Sequence, residues 1–124
     1  MENQEELKMR IGTEEVERLK PAKVKIMNVN IEVVGTKNAK KLMCSCKHPD
    51  KTELINISSV KYENKGKLEV TGLWVNKDNQ NLLRKGSALA VFLQSNNAAF
   101  IEELIGKEIN TIVDDKGYLA FKGY

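Results

Sequence analysis

The chain has 124 residues, of which 41% are apolar and 30% charged, and its formal net charge is +3. That is enough apolar material for one domain with its own core and no disulfide or metal staple. No apolar run approaches the roughly 20 residues of a membrane-spanning helix. The acidic start "MENQEELKMR" is unlike a secretory leader, so a cytoplasmic protein with reduced thiols is expected.

The charge is unevenly spread. Residues 1–20 hold six glutamates against four basic side chains, and residues 36–67 hold eight lysines against three acids. The positive excess therefore sits in one contiguous third of the chain. Such a stretch can attract a polyanion, or its lysines can simply solvate strand faces and blunt strand edges.

In chain order, residues 1–20 form no continuous helical stripe: Leu7, Ile11 and Val16 are interrupted by Gly12. They are expected to be a flexible N-terminal arm. Pro21 ends anything helical, because the residue before a proline avoids the α region. Residues 21–124 are expected to form a single domain. From Ala22 the apolar period is two. Val24 and Ile26 share one face and Met27, Val29, Ile31 and Val33 the other, so the phase slips once and a β-bulge is expected there. "GTKN" at Gly35–Asn38 is a turn. A second strand covers about Ala39–Lys47. In "ELINISSVKY" the phase slips again between Ile57 and Val60. "ENKG" at Glu63–Gly66 is a hairpin turn leading into "KLEVTGLWV", where Leu68, Val70 and Trp74 share a face. Gly72 between them marks a bulge or a close approach.

After the polar loop "NKDNQN" the pattern becomes helical, with Ser87 as N-cap and Leu89, Phe92 and Leu93 at i, i+3 and i+4. "SNN" ends that helix. A second short helix in "AAFIEELIG" is expected to bury Phe100, Ile101, Leu104 and Ile105. "KEINTIVD" and "YLAFKGY" close the chain as a hairpin, with Leu119 and Phe121 pointing in and Tyr118, Ala120 and Lys122 pointing out.

This order predicts a mainly β fold: a β-barrel of the OB (oligonucleotide/oligosaccharide-binding) kind, with one or two short helices before the last two strands. The strand count is one too many for a plain five-stranded barrel. Another small α+β barrel or sandwich is the competing architecture.

Cys44, Cys46 and His48 are the only cysteines and the only histidine in the chain. On a strand, Leu42, Cys44, Cys46 and His48 share the face opposite Lys41, Met43, Ser45 and Lys47. Buried thiols behave as small hydrophobes, so core packing is favoured. The alternative, a metal site completed by Asp50 or Glu53, lacks the second Cys or His pair that zinc usually takes. His48, beside Pro49, is expected to be a solvated turn residue. Asp114-Asp115 followed by Lys116-Gly117 is best explained by a tight hairpin turn. There is no phosphate-binding glycine loop and no nucleophile elbow, so an enzyme is not expected and no cofactor is implied.

Surface binding is what these residues leave. Barrels of this kind hold single strands with aromatic platforms and lysines that track the phosphates. The candidates are Lys23, Lys25, Lys41, Lys47, Lys61, Tyr62, Lys67, Tyr118 and Lys122, with Tyr62 following Lys61 and Tyr118 alternating with Lys122. Tyr124 is a further aromatic near them, whereas Trp74 is placed in the core. The expected partner is single-stranded DNA or RNA, bound largely without regard to sequence. The alternative is a protein-interaction or assembly module using a strand edge or the N-terminal arm. A metal-dependent activity at Cys44, Cys46 and His48 ranks third.

The segments "LKPAKVKI" and "RKGSALAVFLQSNNAAFIEELIGKEINTIVDDKGYLAFKGY" resemble the corresponding parts of small phage and archaeal OB-like barrel domains. The resemblance covers about half of the chain and rests on turns and helix ends. It implies a barrel and a role in phage or archaeal DNA metabolism, and assigns no functional residue.

Overall fold

The computed structural model of the protein describes residues 19–124; the expected N-terminal arm falls almost wholly outside these residues. The strands are β1 (Lys23–Val34), β2 (Ala39–Lys47), β3 (Ile55–Ile57), β4 (Ser59–Asn64), β5 (Lys67–Gly72), β6 (Glu108–Val113) and β7 (Leu119–Gly123). They form one seven-stranded sheet in the order β3-β2-β1-β6-β7-β4-β5. One α-helix, α1 (Ala88–Ser95), and one 3₁₀ turn (Ile101–Leu104) stand between β5 and β6. The fold is thus mainly β. Among the described residues no helix is long and apolar enough to cross a membrane.

β1 carries the bulge that its apolar phase requires. Its pairing with β2 shifts between Ile26 and Asn28, after which Val29 faces Cys44 and Ile31 faces Leu42. One extra residue thereby keeps apolar side chains on the inner side across the slip. The strand is nonetheless buried only in its first half: Val24 and Ile26 are fully buried, whereas Met27, Ile31, Val33 and Val34 are exposed. The second slip is a break at Ser58. Its carbonyl accepts from Leu73 N at 2.8 Å, so it bonds to the segment after β5 while Val60 and Tyr62 turn inward.

β4 and β5 form a hairpin in register from Ser59 opposite Gly72 to Asn64 opposite Lys67. Its two central residues, Lys65 (φ 52°) and Gly66 (φ 81°), are both left-handed. That is the type I′ geometry matching strand twist, and it favours Asn-Gly. Replacing Lys65 with asparagine is expected to stabilise the fold by about 0.5–1 kcal/mol, read as a higher urea midpoint at unchanged slope.

Beyond Gly72 the outcome differs from expectation. Leu73, not Trp74, is the buried residue, and Leu68 and Val70 are exposed. Leu73 O accepts from Leu42 N at 2.8 Å, and Val75 N donates to Lys40 O at 2.9 Å, so this segment runs along the edge of β2 and turns Leu73 under it. Trp74 is half-buried, with Lys41 Nζ 5.0 Å from its ring centroid. A Cβ on Gly72 would lie 2.8 Å from both Lys41 Cε and Trp74 Nε1. The close approach at this glycine is therefore made by side chains.

Ser87 caps α1, its Oγ accepting from Ala90 N at 3.3 Å. Asn96 Nδ2 donates to Phe92 O at 2.8 Å, and Asn97 turns left-handed with φ 56°. Leu89, Phe92 and Leu93 enter the core. The expected second helix is only the 3₁₀ turn. Such a tight turn directs few side chains one way; Leu104 is buried, Ile101 is half-buried, and Phe100 and Ile105 are exposed. Ala120, which alternation places outside, is fully buried opposite Ile112.

Candidate nucleic-acid interface

Alternation in β1 holds Val24 and Ile26 in the core and leaves Lys23 and Lys25 in solvent. The same rule in β4 turns Val60 and Tyr62 inward and Lys61 outward. In β7, Phe121 points in and Lys122 out. Sheet register then decides which lysines meet. Lys25 lies opposite Lys47 on β2 and opposite Glu108 on β6. Lys61 lies opposite Lys122 in the parallel β4–β7 pair. Lys23 lies opposite Asn110. Thr111 pairs with Phe121, and one further step along that register sets Asn110 beside Lys122.

The outer side therefore carries two adjacent rows. One runs Lys47, Lys25, Glu108 across β2, β1 and β6. The other runs Lys23, Asn110, Lys122, Lys61 across β1, β6, β7 and β4. Strands stand about 4.8 Å apart, so these five lysines share one surface, with Glu108 ending the first row two residues from Asn110 on β6. Two lysine pairs are directly opposed, an arrangement that costs stability while no anion lies between them. Tyr124 stands at the rim, half exposed, with Lys122 Nζ 5.0 Å from its ring centroid.

The remaining candidates lie apart from these rows. Lys41 is on the same side of β2, but six residues from Lys47 and therefore about 20 Å along the strand; its ammonium group rests over Trp74. Lys67 starts β5 at the tip of the β4–β5 hairpin. Among the described residues Tyr118 is the most exposed large apolar side chain, at 69%, and lies at the β6–β7 turn. Tyr62 is 7% exposed. It cannot act as a platform in this fold, because neighbouring residues of a strand face opposite ways and Lys61 takes the outside. Tyr124, expected near these lysines, does stand beside Lys122, whereas Glu108 and Asn110 join the surface without having been marked as candidate contacts. Only the pairing of distant strands brings them there.

The sulfur question resolves structurally. Cys44 and Cys46 are fully buried and unpaired. Burial pushes the Cys44 thiol up to about 12, with the neighbouring Cys46 adding to the rise. Burial likewise pushes Cys46 up to about 12. Both thiols should resist Ellman's reagent at pH 8 until denaturant is added. Their unfolded counterparts ionise near the ordinary 9.0. Between pH 9 and 12 the unfolded chain therefore sheds protons that the fold keeps, and stability should fall as pH rises through that window. Melting temperatures measured from pH 7 to 11 test the sign.

His48 departs from expectation: it is fully buried. Its Nε2 lies 2.8 Å from Lys20 O, and Asp50 N donates to Nδ1 at 3.0 Å. A carbonyl can only accept, so Nε2 carries the proton and both ring nitrogens are occupied by backbone. The ring ties the chain entering β1 to the turn leaving β2. Among the described residues no three His, Cys, Asp or Glu side chains gather as a metal cluster would require. Asp114 does turn work, its Oδ1 accepting from Lys116 N and from Tyr118 N, each at 2.9 Å.

No family model, no curated protein and no solved structure matches this chain.

Proposed function

We propose that the protein binds single-stranded nucleic acid, largely without sequence preference, across the outer side of β1, β2, β7 and β4. The observation that carries this is the pair of opposed lysine couples, Lys25 with Lys47 and Lys61 with Lys122. Like charges facing each other across strands are unfavourable until an anion neutralises them, and a phosphate chain supplies that charge at a regular spacing. Tyr124 offers a base a stacking partner beside Lys122. Exposed Tyr118 and Lys67, and half-buried Lys41, are outlying contacts in the same scheme. No chemistry on the strand is called for, and the protein acts as a binder.

The scaffold of this proposal is an OB-like barrel. Its support is connectivity. β3 and β4 stand at opposite parts of the sheet order, yet only Ser58 separates them in the chain. The segment after β5 bonds to β2 through Leu73 and Val75. A sheet whose distant strands are joined in both ways is drawn toward closure. As part of the same proposal, this binding belongs to phage or archaeal DNA metabolism, a reading supported by the resemblance of the C-terminal third to phage and archaeal barrel domains.

The test is fluorescence anisotropy of a labelled single strand titrated with the full chain at low salt. Saturable binding is expected for strands of unrelated sequence. A flat titration at low salt removes the proposal.

A further inference from the structure

We infer that two copies of this chain associate edge to edge through β1, in antiparallel pairing centred on Ile31. β6 pairs with β1 only opposite Lys23–Lys25, and the bonds at Ile26 to Lys107 and Gly106 end that contact. β2 follows the other edge all the way to Val34. Among the described residues no strand pairs with the second edge from Asn28 to Val34, about 23 Å of extended backbone.

An open edge is normally blunted by brevity or by charge. β3 is three residues long, and β5 carries Lys67 and Glu69. The outer part of β1 is long and its one charge is Glu32: "NVNIEVV" holds no lysine, and Ile31, Val33 and Val34 are exposed. Beside it lies a cleft of about 570 Å³, lined by Val29, Leu42, Ile101 and Ile105 among others. An added strand would direct alternate side chains toward Ile101 and Ile105 in that wall, which also holds Glu102.

The occupant with the matching pattern is a second copy. About a two-fold axis at Ile31, Val29 meets Val33 of the other copy, Ile31 meets its equivalent, and Glu32 meets Asn30. No like charges are opposed, and the apolar row continues unbroken across the junction. A phosphate chain does not fit here, since the edge and its wall present Glu32 and Glu102 without a lysine. Because the axis stands perpendicular to the sheet, the outer sides of both copies face the same way. The dimer would therefore present two lysine surfaces to one ligand.

Sedimentation velocity on the full chain across micromolar concentrations tests this without any nucleic acid, so its failure is separable from failure of the binding proposal. A concentration-dependent rise to the mass of two chains is expected, since a single short edge buries less than the roughly 1,600 Å² of a standard interface. Ile31→Cys should form a disulfide-linked pair under mild oxidation, while Val70→Cys, exposed on β5, should not. Val33→Lys should weaken association by at least about tenfold by setting a charge against an apolar neighbour. A monomer at every concentration, with Ile31→Cys left uncrosslinked, overturns the inference. If that thiol then resists alkylation, the chain covers its own edge; if it reacts, the edge serves another protein or none. Either result contradicts self-association.

Discussion

Replacing Phe121 with alanine is expected to cost about 3–5 kcal/mol, the range for deleting a buried phenyl ring. Phe121 is fully buried at the crossing of three strands, with Thr111 on one side and Val60 on the other. Its ring stacks on Phe92 of α1 with centroids 4.8 Å apart and planes 24° apart. Alanine would leave a cavity where helix meets sheet, and the helix, anchored also by Leu89 and Leu93, cannot collapse fully into it. A domain of this size is stable by only about 5–15 kcal/mol, so a fall in melting temperature of roughly 10–20 °C follows. Thermal denaturation followed by circular dichroism checks this, with Val70→Ala as the exposed control. A melt shifted no further than the control's would mean that α1 does not pack on β7. Well below its melting temperature the variant should still bind, because Lys122 leaves β7 on the opposite side.

The second large effect concerns that opposite side. The double reversal Lys47→Glu with Lys122→Glu is expected to move stability and binding in opposite directions. Each change converts an opposed lysine pair into an attractive one, since Lys47 faces Lys25 and Lys122 faces Lys61. Folding stability should hold or rise by a few tenths of a kcal/mol per pair. Affinity for a single strand should fall roughly tenfold for each reversed lysine. A variant that melts like the parent and no longer binds separates a phosphate-contacting surface from lysines that merely solvate a strand. Equal binding by both proteins would assign them the solvating role.

Much of the fold was legible because alternation is a local rule. The bulge after Ile26, the break at Ser58 and the N-cap at Ser87 each left a phase change or a capping residue in the sequence. The inward thiols of β2 followed from the lysines beside them. Local rules failed where a distant segment decided the outcome. Leu73 rather than Trp74 is buried because residues 73–75 bond to β2. His48 is buried because Lys20 O, 28 positions earlier, accepts from its ring. Tyr62 was misplaced for a different reason. Its adjacency to Lys61 resembles an aromatic interleaved with charge, yet on a strand adjacency guarantees opposite faces. The lysine surface was legible as a list and not as an arrangement. Lys25 and Lys47 are neighbours through an antiparallel hairpin, which a sequence can suggest. Lys61 and Lys122 are neighbours through a parallel pairing across 61 positions, which it cannot.

The central claim is that these five lysines act together on a phosphate chain, and the salt dependence of binding measures it most directly. Five lysine–phosphate contacts on a single strand predict a slope near −3.5 in log K against log salt, or about a hundredfold loss of affinity between 50 and 200 mM. The Lys47→Glu, Lys122→Glu variant, with two contacts fewer, should lower that slope by about 1.4. Binding that stays constant across the salt range, or a slope the double variant leaves unchanged, would contradict the claim.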